Sequence, residues 1–104
     1  MGLIAATVNK QYLIAYRNEL EYKMTLIRQA KMGLSDSTSD LLNAGTDLDP
    51  ENPAVKRLEQ RRERLNALEK KLDMQLEEYQ TKLKMVESNI QASDQMIERA
   101  ASGK

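Results

Sequence analysis

Two prolines three residues apart, Pro50 and Pro53, place the strongest limit on how this chain can fold. Each proline lacks the backbone N–H that a helix interior needs, and each restricts the conformation of the residue before it. Asn52 can cap a new helix through its side-chain oxygen, and proline suits the first helical position. The sequence therefore predicts one helix before this segment, a turn through it, and a second helix that begins at Pro53.

The chain before the turn has the apolar spacing of a helix. One stripe with steps of three or four residues, which fits a helix and no strand, consists of Leu13, Tyr16, Leu20, Met24 and Ile27. Gly33 and the polar run 35–40 are weak points, because glycine and short polar side chains both disfavour a helix interior. The first helix is therefore expected either to end near Met32 or to continue to about Asn43.

A second apolar stripe on the first helix starts earlier in the chain. It consists of Ile4, Val8, Tyr12, Ala15, Tyr22 and Leu26. Two adjacent stripes make a wider apolar face than one partner helix covers. One interpretation buries this helix in a core of three or four helices. The other assigns one stripe to the chain's own second helix and the other stripe to a neighbouring subunit, and we favour it because the chain offers only two long helices.

After Pro53 the apolar residues repeat as a heptad seam with one stutter, which predicts a helix to about Ala101. The seam residues expected to pack against the first stripe are Leu65, Leu72, Leu76, Tyr79 and Leu83. Both helices contain the step pattern 3, 4, 4, 3, which suits an antiparallel pair. Matching the two runs residue for residue puts the turn near Thr46, slightly early, so the register stays open.

These patterns predict an all-α fold, an elongated antiparallel two-helix hairpin that is coiled-coil-like and forms a single domain over residues 1–104. The expected elements are helix 1 at about 3–43, an acidic turn at about 44–52 and helix 2 at about 53–101. A composition with 4% aromatic and 31% charged residues is typical of coiled coils and helical bundles. Because an isolated hairpin buries little surface, we expect it to form a homo-oligomer.

Opposite charges lie on the two sides of the predicted turn. Residues 35–52 carry five acidic and no basic residues, whereas residues 56–64 have a net charge of +3. The simpler interpretation is a solvated surface. The alternative is that the acidic turn of one subunit contacts the basic helix start of another, which would involve Asp47, Asp49, Glu51, Arg57, Arg61 and Arg64.

The residue types predict no catalytic, cofactor or metal site. With no His and no Cys, the chain lacks the usual zinc ligands, disulfides and nucleophile–His pairs. Four scattered glycines make no phosphate-binding loop. A net charge of zero gives no argument for nucleic acid, and the apolar N-terminal run is too short to span a membrane. We therefore expect a protein that is not an enzyme, binds no nucleic acid and has no membrane span.

The N-terminal residues lack the charged start and long apolar run of a cleaved secretory signal. We expect synthesis in the cytoplasm, followed by residence there or by export along a signal-independent route.

The turn sequence Pro50-Glu51-Asn52-Pro53-Ala54-Val55, with Gln60 shortly after it, resembles the inter-helix turn of bacterial type III secretion needle subunits. In that family a Pro-x-Asn-Pro-Ala turn joins two helices, and the hairpins stack into a hollow tube. The resemblance covers residues 50–60 of 104. It implies a self-assembling subunit of a filament, needle-like tube or secretion apparatus, with other components of such a structure as further partners.

The alternative function is a cytoplasmic helical-hairpin chaperone or adaptor, which would use the broad apolar face to hold a helix of another protein. The two functions differ in their consequences. Self-assembly predicts polymers from the purified chain alone, whereas an adaptor predicts a soluble monomer or dimer with one defined heterologous partner.

Overall fold

The computed structural model describes residues 2–45 and 48–103. Those residues form two helices, α1 over Gly2–Ala44 and α2 over Pro53–Ser102. The predicted all-α helical hairpin is confirmed. Helix α1 passes through Gly33 and the polar run 35–40 without a break, so the longer of its two expected extents is the observed one.

The polar run of α1 stays helical between two half-buried leucines. The Thr38 hydroxyl donates a hydrogen bond to the Leu34 carbonyl oxygen at 2.9 Å, so it does not draw the backbone out of the helix. Leu34 and Leu41 stay half-buried on either side of it. Partial burial of these leucines favours the helix over the local turn propensity of its serines and aspartates.

A tight turn over Asp49–Asn52 reverses the chain. The Asn52 backbone N–H donates to the Asp49 carbonyl at 2.9 Å, and the Glu51 N–H donates to the Asp49 side-chain oxygen Oδ1 at 3.0 Å. Aspartate at the first turn position and proline at the second are the residues that this geometry prefers. Thr46 and Asp47, which belong to the predicted turn, lie outside the described residues.

Helix α2 begins with the predicted cap. The Asn52 side-chain oxygen Oδ1 accepts a hydrogen bond from the Ala54 N–H at 2.9 Å, and the Asn52 carbonyl accepts one from the Val55 N–H at 2.9 Å. Pro53 takes the first helical position, where no N–H is required. The second proline therefore starts a helix, while Pro50 lies in the turn.

Contacts between residues group the chain into two units, unit 1 with residues 1–25 and 77–104 and unit 2 with residues 26–76. Each unit contains a segment of α1 and a segment of α2 that run antiparallel. The single domain over residues 1–104 stays a prediction. The core of unit 1 consists of Leu20, Val86 and Ile90, and Leu20 is only 2% exposed. Partly buried side chains pack around this core, namely Leu13, Ile14, Tyr16, Tyr79 and Leu83.

Cross-helix pairs define the register in each unit. In unit 1 the residue numbers of the paired residues add up to between 102 and 104 for Asn9–Ser93, Lys10–Asp94 and Lys23–Tyr79. In unit 2 the ion pair between Lys31 and Asp73 gives the same total of 104. Residues at equal distances from the Asp49–Asn52 turn therefore face each other, as an antiparallel pair with a short connection requires.

This register corrects the predicted packing. Matching the two 3, 4, 4, 3 runs puts the first stripe opposite residues 65–79, but the side chains of Leu13 and Leu20 pack with Val86, Ile90 and neighbours of that core. The difference is about eleven residues, or about three helical turns. It arises because the turn ends at Asn52 and not near Thr46. The remaining predicted packing residues are half-buried members of unit 2, namely Leu65, Leu72 and Leu76.

Two other predicted packing residues are buried as expected, each within its own unit. Met24 of unit 1 is 3% exposed and Ile27 of unit 2 is 8% exposed. Val86 and Ile90 continue the apolar repeat of α2 beyond Leu83, but they are not among the expected packing partners. Once the turn is placed at Asp49–Asn52, Val86 and Ile90 are as far from it along α2 as the first stripe is along α1. That equal distance identifies them as packing partners.

One position of the α2 seam in unit 1 is polar. Ser93 is 3% exposed, and its hydroxyl oxygen accepts a hydrogen bond from the Asn9 side-chain amide Nδ2 at 3.1 Å. A buried hydroxyl without a partner would destabilise the fold, so Asn9 compensates for the polar residue in the seam. The polar segment around Ser93 accordingly remains part of α2, which continues to Ser102.

We expect the Leu20→Ala variant to lower the free energy of unfolding by about 2–4 kcal/mol, because it removes the most buried side chain of unit 1. Chemical denaturation followed by far-UV circular dichroism measures the change. Met74→Ala is the matched control, since Met74 is 70% exposed and its truncation should change stability by less than about 0.5 kcal/mol. Equal effects of the two variants would contradict the assigned core.

The Asn9–Ser93 hydrogen bond predicts an energetic coupling between α1 and α2. In a double-mutant cycle, Asn9→Ala should cost about 1 kcal/mol with Ser93 present and much less in the Ser93→Ala background. The same denaturation experiment measures all four proteins of the cycle. Additive effects of the two substitutions would show that the pair contributes nothing to stability.

Candidate assembly surface on α1

The second apolar stripe of α1 faces solvent. Ile4, Val8 and Tyr22 are 70%, 59% and 64% exposed, and Tyr12 and Ala15 are exposed as well. These five residues belong to unit 1 and are called the exposed stripe below. Leu26, the sixth predicted interface residue, is also exposed and belongs to unit 2.

The exposed stripe, apart from Tyr12, lies away from α2. Ala15 and Leu20 are five residues apart, which at about 100° per residue separates them by roughly 140° around the helix axis. The two stripes meet at Tyr12 and Tyr16, which are roughly 40° apart around the axis and line one groove. Leu20 faces the core, whereas the rest of the exposed stripe is uncovered among the described residues of unit 1. An uncovered row of large apolar side chains is typical of an interaction surface.

The one charge within the exposed stripe is compensated. Glu19 lies between Ala15 and Tyr22 in the helical repeat, and its carboxylate Oε1 is 3.1 Å from the Lys23 ammonium Nζ. The hydrogen bond from Lys23 to Glu19 and the charge of that carboxylate raise the pKa of Lys23 above its ordinary value. Lys23 and Glu19 carry opposite charges, so the pair adds no net charge to the surface.

Tyr12 is at the edge of the exposed stripe and lines a shallow groove of unit 1. The side chains that share this groove are Leu13, Tyr16, Lys82, Met85, Val86 and Asn89. The ammonium groups of Lys23 and Lys82 lie 6.0 Å and 5.6 Å from the Tyr79 ring centroid. These distances fit cation–π contacts between the two lysines and the ring.

The charged residues predicted near the turn are exposed but are not joined to one another. Among residues 2–45 and 48–103, no salt bridge links Asp49 or Glu51 to Arg57, Arg61 or Arg64. Asp47 lies outside the described residues. Asp49 also has a local role, because its side chain accepts the Glu51 N–H in the turn. The acidic turn and the basic start of α2 are therefore available for contacts with another molecule.

A small apolar recess near the turn was not among the predicted sites. It is lined in unit 2 by Leu41, Leu42, Gly45, Val55, Leu58, Glu59 and Arg62. A methyl group added to Gly45 would approach the Leu58 methyl Cδ1 to 3.6 Å, an ordinary contact distance. The sequence signal for the recess is that leucines on α1 and apolar residues on α2 lie at similar distances from the turn.

The described part of the chain contains no group of three or more carboxylates placed to hold a metal ion. In that same part, neither helix combines the length and apolar character needed to cross a membrane.

Comparison of the chain with protein-family models, with curated proteins and with solved structures gave no match.

Proposed function

We propose that this protein is a structural subunit that self-assembles as a helical hairpin. The observation that carries the proposal is the exposed stripe, a row of apolar side chains of α1 that stays exposed in unit 1. Full burial of a side chain such as valine or isoleucine is worth about 1.5–3 kcal/mol. Association that covers Ile4, Val8 and Tyr22 therefore has a substantial driving force.

A second surface allows the assembly to extend. Asp49 and Glu51 at the turn are exposed, and so are Arg57 and Arg61 at the start of α2. Attraction between the turn of one subunit and the α2 start of the next would add a head-to-tail contact, the type that builds rings or filaments. The likeness of residues 50–60 to the turn of secretion needle subunits supports the narrower proposal of a filament, needle-like tube or secretion apparatus.

Self-association should depend on the exposed stripe. We expect the parent chain to associate at micromolar concentration in sedimentation velocity, and Val8→Glu to weaken association at least tenfold because it places an uncompensated charge in an apolar contact. Met74→Glu introduces the same charge at another exposed apolar residue and should leave association unchanged. A well-folded monomeric parent chain would contradict the proposal and favour the adaptor function.

The charged turn should contribute to assembly beyond the first contact. We expect Glu51→Lys combined with Asp49→Asn to weaken the formation of larger species without loss of far-UV helicity, because asparagine keeps the acceptor that the Glu51 N–H uses. Glu87→Lys, an exposed charge reversal on α2, is the control for net charge. Light scattering at low and high salt measures the effect. Assembly equal to that of the parent would make the turn a solvated surface.

A further inference from the structure

We propose that two copies of this chain pack α1 against α1 in antiparallel orientation, around a two-fold axis beside Ala15. The inference rests on the proposed self-assembly and names its first contact. A two-fold interface brings the same surface of both copies together, so that surface must be complementary to itself. The exposed stripe meets this condition.

The stripe has the same spacing in both directions from Ala15. Val8 lies seven residues before Ala15 and Tyr22 lies seven residues after it. In the sequence the next apolar pair outward is Ile4 and Leu26, eleven residues to either side. An antiparallel α1 of a second copy, centred on Ala15, therefore has apolar residues at the same positions along the helix axis as the stripe of the first copy.

Side-chain sizes also fit this arrangement. Ala15 is small and exposed, so two copies of α1 can approach closely at the axis. Val8 would face Tyr22 of the second copy about 10 Å from the axis on each side, which sets a small side chain against a large one. Val8 and Tyr22 are 59% and 64% exposed, so both have surface available for burial in this contact.

The polar residues beside the stripe are complementary in the same register. Tyr12 and Glu19 lie three residues before and four residues after Ala15 on one edge of the stripe. In the antiparallel pair the Tyr12 hydroxyl therefore comes close to the Glu19 carboxylate of the second copy and can donate a hydrogen bond to it. Gln11 and Asn18 lie four residues before and three after Ala15 on the other edge, where their amides can pair in the same way.

A parallel pair of α1 helices would lose this complementarity. In register, it would place Glu19 beside Glu19 and Tyr22 beside Tyr22 of the second copy. Because Glu19 is paired with Lys23 of its own helix, side-chain size makes the difference. Two large aromatic side chains at the Tyr22 level leave two small side chains at the Val8 level, so the size pattern favours the antiparallel pair.

Single cysteine substitutions test this arrangement, because the chain has no cysteine of its own. Under mild oxidation, Ala15→Cys should form a disulfide between two copies. Val8→Cys and Tyr22→Cys should cross-link when mixed, whereas Val8→Cys alone should not, since its two introduced thiols would lie roughly 20 Å apart. Lys84→Cys, an exposed position on α2, is the control for random collision.

The outcomes separate this inference from the proposed function. Cross-links of Ala15→Cys and of the mixed pair, well above the Lys84→Cys level, support the antiparallel arrangement. If Val8→Cys cross-links with itself as efficiently as the mixture does, the antiparallel arrangement is overturned. It is also overturned if neither Ala15→Cys nor the mixture cross-links while the variants sediment as oligomers. Both outcomes leave the proposed self-assembly standing. A monomeric parent chain overturns both. Far-UV circular dichroism of each variant verifies that the helices are intact.

Discussion

The hydrogen bonds of the Asp49–Asn52 turn determine where α2 begins, and so which residues of α1 and α2 are equally far from the turn. Asp49 accepts two backbone N–H groups, one with its carbonyl and one with its side chain, and Asn52 then caps the first turn of α2. Because the turn ends at Asn52, residues at equal distances from it face each other in each unit. A turn displaced by a few residues would change every cross-helix contact, including the burial of Leu20 against Val86 and Ile90.

The hairpin covers only one side of α1 in unit 1. One helix packed alongside another shields a limited arc of its surface, and that arc contains Leu13 and Leu20. The opposite arc carries Val8 and Tyr22, which stay exposed for lack of a third element in the unit. The Asn9–Ser93 hydrogen bond shows a different solution within the covered arc, where a polar residue in the seam is tolerated because it is paired. The exposed apolar residues have no such partner within the unit, and this difference is the basis of the proposed self-association.

The proposed function follows from the combination of two surfaces with different symmetry. A stripe that is complementary to itself forms a closed contact between two copies and cannot by itself produce a filament. The turn and the start of α2 carry opposite charges on different residues, so their contact would be head-to-tail and could continue indefinitely. A subunit with both surfaces would polymerise through dimers, and the relative strength of the two contacts would set whether small particles or long filaments dominate.

The sequence alone determined the helical class, the turn and the cap, because these depend on local chemistry. Proline removes a donor, asparagine supplies a cap oxygen, and apolar spacing of three or four residues identifies a helix whatever it packs against. The two apolar stripes of α1 were also visible in the sequence. Their division into a buried one and an exposed one was predicted, but the register was not, because the 3, 4, 4, 3 run occurs in both helices and matches in more than one way. Only the tertiary structure decided that Leu20 packs beside Val86 and that Asn9 satisfies Ser93, since each depends on the relative placement of residues far apart in the chain.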